Sequence, residues 1–336
     1  MKKIFLLLPY LFFAAFAQAN LKVVTTVPDL ASFVSEIGKN KVSVSSLIVG
    51  ARDPHRIQAK PSFMSRVASA DLFIAVGLDL EIGYEAPILQ GSRNSRVQIG
   101  ARGHMYASDS VFILEKPSEI VTRAQGDVHP EGNPHIWLDP WNARIIIRNI
   151  ASRMGELDRA NATFYTSNAN AFVDRIDDAM FGADLVNKVG VEKLWTWERN
   201  NNLIQQLKNA GAFGQLGGWA GKMELIRGTN IITYHKSWEY FANRFNINIV
   251  DELEPKPGLD PTPGHLASVL KKVEQNNVKL ILQEPYYSTR HANFVAQRTG
   301  IKVVVAGLSI GNESNVIDYI GLISNIVNKI VSASGK

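Results

Sequence analysis

Short apolar runs alternate with stretches of helical spacing along the early part of the chain. Leu21 to Thr26, Val42 to Val49 and Leu72 to Val76 have strand length, and the last two end at Gly50 and Gly77. Between them, Leu30 to Ile37 carries its apolar residues at helical spacing. Pro61 opens a second helical stretch, which Ala70-Asp71 closes. Proline suits the first turn of a helix, where its missing N–H has no intrahelical partner to lose. Strands alternating with helices predict a parallel sheet with right-handed crossovers.

The rhythm breaks over residues 101–134, where glycines, prolines, His104 and His129 show no period. This reads as a surface loop in which Val111 to Leu114 could add a short strand. From Pro140 to about Val189 the chain is strandless. Ile146, Ile150, Met154, Leu157, Phe164, Phe172, Ile176 and Met180 keep helical spacing, with an interruption at Asp158 to Asn161. The alternation then resumes. Strands are expected at Asn230 to Tyr234, Ile247 to Val250, Val278 to Gln283 and Lys302 to Ala306. Helices are expected at Trp238 to Phe245, from Thr262-Pro263, at His291 to Thr299 and at Val316 to Val331. The fold class is therefore α/β, with two lobes, each a parallel-sheet sandwich, joined by a long backbone helix. The expected divisions are 20–139 for the first lobe, 140–189 for the helical spine and 190–336 for the second lobe. No repeat is clear in the sequence.

Residues 1–19 read as a cleaved signal peptide. Lys2 and Lys3 precede an apolar stretch from Ile4 to Ala17, and Ala17-Gln18-Ala19 is a small-x-small cleavage site. The chain has no cysteine, which excludes disulfides, cysteine-based zinc sites and lipid attachment through a cysteine. These features place the expectation in the periplasm, without a lipid anchor. A formal charge of +5, two units of it from Lys2 and Lys3, is too small to argue for nucleic acid.

Among seven histidines, three sit in polar corners marked by proline or tyrosine. They are His55 in Asp53-Pro54-His55, His135 in Gly132-Asn133-Pro134-His135-Ile136-Trp137-Leu138-Asp139-Pro140, and His235 in Thr233-Tyr234-His235. Open α/β sheets bind ligands at the carboxyl ends of their strands, so three such corners can face one cleft. Neutral imidazoles there suit a transition metal. Their spacing alone does not define a site, because none forms a short-range ligand pair.

These phrases, with Tyr234-His235-Lys236-Ser237-Trp238-Glu239-Tyr240-Phe241 and Gln283-Glu284-Pro285, resemble the metal-binding solute-binding proteins of ABC transporters, the zinc/manganese cluster A-I group. The likeness runs in order through the whole chain after the signal. It implies two lobes, a linking helix and one metal between the lobes, held by His55, His135 and His235. Many members place an aspartate after the last strand. Here Val305-Ala306-Gly307-Leu308-Ser309-Ile310-Gly311 has none. Glu284, at the end of the preceding strand, is the expected fourth metal residue, as donor or as partner of a histidine. Water or His129 could take that place instead, and Glu284 would then be a capping or lobe-bridging carboxylate. His104 and His129 are expected in an exposed loop, His265 at a helix start, and His291 facing solvent. Asp139 is expected to cap the spine helix or to orient His135.

Three imidazoles and a carboxylate favour Zn2+ as the transported ligand, with Mn2+ the alternative. The implied role is metal capture and delivery to the membrane subunits of an ABC permease. A monomer is expected, with a periplasmic metallochaperone as a candidate loading partner. The competing reading is an exported zinc hydrolase using the same three histidines, since an open fourth position is also the catalytic pattern. No His-Glu-x-x-His motif supports it.

Overall fold

The computed structural model describes residues 20–118 and 128–335, so the expected signal segment lies outside the described residues. The first lobe is built on strands β1 (Leu21–Thr25), β2 (Val42–Ser46), β3 (Leu72–Ala75) and β4 (His104–Tyr106). All pairs are parallel, in the order β2-β1-β3-β4. Helices α1 (Pro28–Gly38), α2 (Pro61–Ala68) and α3 (Glu85–Ser92) provide the crossovers. The second lobe repeats the plan with β5 (Asn230–Thr233), β6 (Asn248–Glu252), β7 (Leu280–Gln283) and β8 (Lys302–Val305), ordered β6-β5-β7-β8 and again parallel.

Between the two sheets in sequence come α4 (Pro140–Leu157), α5 (Ala162–Phe181), α6 (Ala183–Val189), α7 (Val191–Arg199), α8 (Leu203–Asn209) and α9 (Gly218–Glu224). Then α10 (Glu239–Phe245), α11 (Pro263–Gln275), α12 (Arg290–Thr299) and α13 (Tyr319–Ala333) complete the second lobe. The chain reverses after α4 because Asp158 accepts from Tyr165 Oη at 2.6 Å and from Asn161 Nδ2 at 2.7 Å. So α4 and α5 pack side by side. The 20-residue α5, about 30 Å long at 1.5 Å per residue, touches α1 at one end of the molecule and α9 at the other.

One apolar core runs through both lobes. It joins Phe33 and Ile37 of α1, Ile147 and Ile150 of α4, Phe172 and Ile176 of α5, and Leu322 and Ile326 of α13. Each sheet's outer face has its own smaller cluster, around Phe73 and Ile88 in the first lobe and around Ile281 and Val269 in the second. The core fixes the lobes at the rear and leaves the carboxyl ends of both sheets facing a shared cleft.

Candidate metal centre

The three histidine corners are held by local hydrogen bonds. Beyond β2, Leu47 N and Ile48 N still donate to Thr25 O and Thr26 O. The chain then turns at Pro54–Arg56, where Asp53 Oδ1 accepts from His55 N at 2.9 Å. His135 depends on Gly132, whose φ of +114° disfavours any L side chain, and whose added Cβ would meet Ile113 Cγ2 at 2.3 Å. That turn presents Asn133. Its Oδ1 accepts from His135 N at 3.0 Å and lies 2.9 Å from His135 Nδ1. Its Nδ2 donates to Glu115, the Lys236 carbonyl and Glu239. With Nδ1 occupied, Nε2 of His135 is the nitrogen turned to the cleft.

His235 lies two residues beyond β5. A bulge between Ile231 and Ile232 shifts the register against β6, so that Thr233 pairs with Glu252. Extended ladder bonds, Leu253 N to Thr233 O and Glu254 N to Tyr234 O, then carry Glu254 alongside His235. Glu254 Oε2 lies 2.7 Å from His235 Nδ1. Without the one-residue shift, an apolar leucine would stand there. Glu284 immediately follows β7, so His235, Glu254 and Glu284 mark the ends of three adjacent strands.

The imidazoles gather in the cleft. His55 Nε2 and His135 Nε2 are 3.3 Å apart. Two nitrogens bound tetrahedrally at about 2.0–2.1 Å from zinc would be about 3.3–3.4 Å apart. The His55 ring centre lies 5.3 Å from those of His135 and His235 and 5.1 Å from that of His129. His135 and His235 are farther apart, at 6.2 Å. Among the described residues, no group of three or more His, Asp or Glu is already arranged to hold a metal ion. One pair thus has ligating spacing.

Charge divides the histidines. Burial, reinforced by repulsion from the neighbouring imidazoles, holds His55 and His135 well below the usual histidine range. Both are neutral and ready to donate a lone pair. Burial also opposes charge on His235, but the hydrogen bond and charge of Glu254, with Glu284 and Asp53 behind it, raise it to about 9. Burial pushes Glu284 up to about 7, against the pull of His235. Glu284 is fully buried, and among the described residues neither carboxylate oxygen makes a well-formed hydrogen bond, although the Ser237 hydroxyl stands close enough to favour the charged form.

Several expected roles change. His104 is not in an exposed loop: it sits buried on β4, 2.8 Å from Glu85 Oε1. His129, also expected in an exposed loop, stands beside His55 with Nδ1 2.9 Å from Leu78 O. His291 is half-buried rather than solvent-facing. Asp139 caps α4 through Trp141 N and binds Arg244 with both oxygens at 2.7 and 2.8 Å, while Asn133 takes the place at His135. His265 is structural at the start of α11, its N–H donating to the Thr262 cap and its ring to Glu252 O. Glu254 was missed by the sequence reading. Its signal is a carboxylate just past a strand that neighbours the His235 strand.

Two parallel-sheet lobes with a histidine cluster between them define, in class, the metal-binding substrate-binding component of an ABC transporter. The family model for the periplasmic zinc-uptake complex component A, ZnuA, matches residues 23–180 and 217–333, and the chain belongs to this family. The substrate-binding lipoprotein SloC of Streptococcus mutans is 24% identical, covering 85% of this chain and 80% of its own. The manganese ABC transporter lipoprotein PsaA of Streptococcus pneumoniae is 23% identical, covering 84% and 78%. In fold, the chain matches a crystal structure of ZnuA with a TM-score of 0.67, 20% identity and 94% and 99% coverage. It matches the Ni2+ complex of FpvC from Pseudomonas aeruginosa with a TM-score of 0.68, 19% identity and 94% and 97% coverage. Such a component works with a membrane permease and an ATPase. The relatives named lipoproteins overturn the expectation of a periplasmic carrier without a lipid anchor. The missing cysteine excludes only attachment through a cysteine of this chain; it does not set the compartment.

Proposed function

We propose that this chain captures Zn2+ with His55, His135 and His235 and hands it to its permease. The observation that carries this is the 3.3 Å approach of two neutral, inward-turned imidazole nitrogens. Neutral nitrogen donors suit zinc better than manganese, which prefers more oxygen and lies lowest in the affinity order. Glu284 is the proposed fourth donor. A buried carboxylate without a well-formed hydrogen bond is costly, and a bound cation would offset that cost. His129, beside His55, is the competing donor. We assign residues 20–139 and 190–336 to the two lobes and 140–189 to the spine between them. The carrier acts as a monomer, and a metallochaperone is a candidate loading partner.

Competition titration with Zn2+ and Mn2+ tests this reading. The wild type should bind one Zn2+ far more tightly than Mn2+. His55→Ala, His135→Ala and His235→Ala should each weaken Zn2+ strongly, and normal binding by all three would reject the site. Glu284→Ala against His129→Ala decides the fourth place, by which of them lowers affinity. Ester and phosphoester assays should show no turnover, and turnover lost in His235→Ala would favour the hydrolase instead.

A further inference from the structure

A cavity of about 330 Å3 opens beside the histidine cluster, reaching His129 and His235. Pro255, Lys256 and Pro257 form part of its wall. These residues belong to a tight turn in which Leu259 N donates to Lys256 O, with Pro257 at the second position and Gly258 at φ +80° at the third. Proline followed by a residue of positive φ is the type II arrangement, which is stiff and favours glycine at the third place.

The turn is fastened at both ends. Gly258 N donates to Glu254 Oε2 at 2.8 Å, the same oxygen that meets His235 Nδ1. Gly258 O accepts from Arg56 Nη2 of the first lobe at 3.3 Å. Arg56 Nε lies 3.4 Å from Asp53 Oδ2, and the other Asp53 oxygen caps the turn that presents His55. A continuous polar chain therefore joins His235 to His55, through Glu254 at the cavity wall and then Gly258, Arg56 and Asp53. Its long links are the two made by the exposed Arg56. Tyr287 Oη, 3.4 Å from Asp53 Oδ2, is a further long tie nearby.

We infer that Arg56 and the Pro255–Gly258 turn form a latch over the metal centre, with Arg56 a positioning residue that slows departure of the ion. The inference rests on the metal-centre reading. Arg56 follows His55 in the chain but makes no hydrogen bond to a proposed donor, and Asp53 still caps His55 N without it, so its loss changes how fast the cleft opens and leaves the donor set intact. Pro257 acts at the other side of the same latch, by keeping the turn stiff.

The test is a chelator chase of Co2+-loaded protein, with the visible Co2+ spectrum recorded before the chase. Arg56→Ala should release Co2+ roughly three- to tenfold faster, the size expected from losing one partly exposed hydrogen bond to an ionised donor. Its spectrum should match the wild type. Arg56→Lys, which can still reach a carbonyl, should recover part of the rate, and Pro257→Gly should release faster than wild type. Wild-type release rates in both Arg56→Ala and Pro257→Gly overturn the latch, as does an altered Co2+ spectrum in Arg56→Ala. A wild type that takes up no Co2+ removes the metal centre itself, and the latch with it.

Discussion

Glu254 does for His235 what Asn133 does for His135: each engages Nδ1 and leaves Nε2 for the cleft. The difference is charge. Asn133 leaves its histidine neutral, whereas Glu254 keeps a proton on His235 up to about pH 9. A ligating imidazole must give up that proton, so metal competes with it throughout the neutral range. The sign follows directly. Affinity should rise with pH by about one log unit per pH unit between pH 7 and 8.5, with one proton released per ion. Below pH 7, protonation of Glu284 should steepen the slope if Glu284 is a donor. His55 and His135 add nothing there, because their lowered values keep them neutral. Calorimetry in buffers of different ionisation enthalpy measures the protons. In Glu254→Gln the slope above pH 7 should vanish, and above pH 9, where no proton competes in either form, affinity should fall roughly 10- to 100-fold, as is usual when a ligand loses its orienting partner. An unchanged slope in that variant would mean that Glu254 does not hold the proton.

At the level of elements, the site's precision comes from turns rather than strands. Gly132 shows this most directly. Gly132→Ala would bring a Cβ to 2.3 Å from Ile113 Cγ2 and 2.8 Å from Leu114 O, in a backbone conformation already unfavourable to L residues. It should cost roughly 1–3 kcal/mol in urea unfolding and weaken metal binding by displacing Asn133. An unaltered midpoint would show that the turn can relax. This division also explains what could be read from the sequence. Strands β5 and β7, which precede His235 and Glu284, are largely apolar, β2 before His55 alternates valine with serine, and both halves of the alternation stand in the sequence. Strand β4 is not such a run: His104-Met105-Tyr106 pairs only because β3 offers its open edge, and the expected Val111 to Leu114 segment forms no strand. His55, His135 and His235 were legible from their polar corners and family phrases. Glu254 reaches His235 only through a one-residue bulge, which leaves no periodic trace, whereas His129 stood in the sequence only as a substitute for Glu284.

Across the whole molecule, the two sheets are held by a buried rear seam. Phe33 of α1 meets Tyr319 of α13 edge-on at 5.0 Å, and Trp137 Nε1 donates to Leu308 O at 2.7 Å. Asp29, fully buried in the first turn of α1, accepts from Ser309 Oγ and from Ile310 N in the loop after β8. The segment without a family-like aspartate is thus tied to an aspartate of the opposite lobe. Burial raises Asp29 to about 7, despite those hydrogen bonds. A carboxyl raised on folding favours the protonated folded state. Its stabilising share is therefore present below about pH 4 and lost as pH rises to about 7, a change on the order of a few kcal/mol. Asn at this position can still accept from Ile310 N with its oxygen and donate to Ser309 with its amide, without ionising. Melting of the metal-free protein should then give equal midpoints for wild type and Asp29→Asn below pH 4. At pH 8 the variant should melt higher. If the variant instead melts lower at pH 8, the ionised carboxylate itself holds the lobes together, and the rear seam is an electrostatic joint rather than a neutral hydrogen-bonded one.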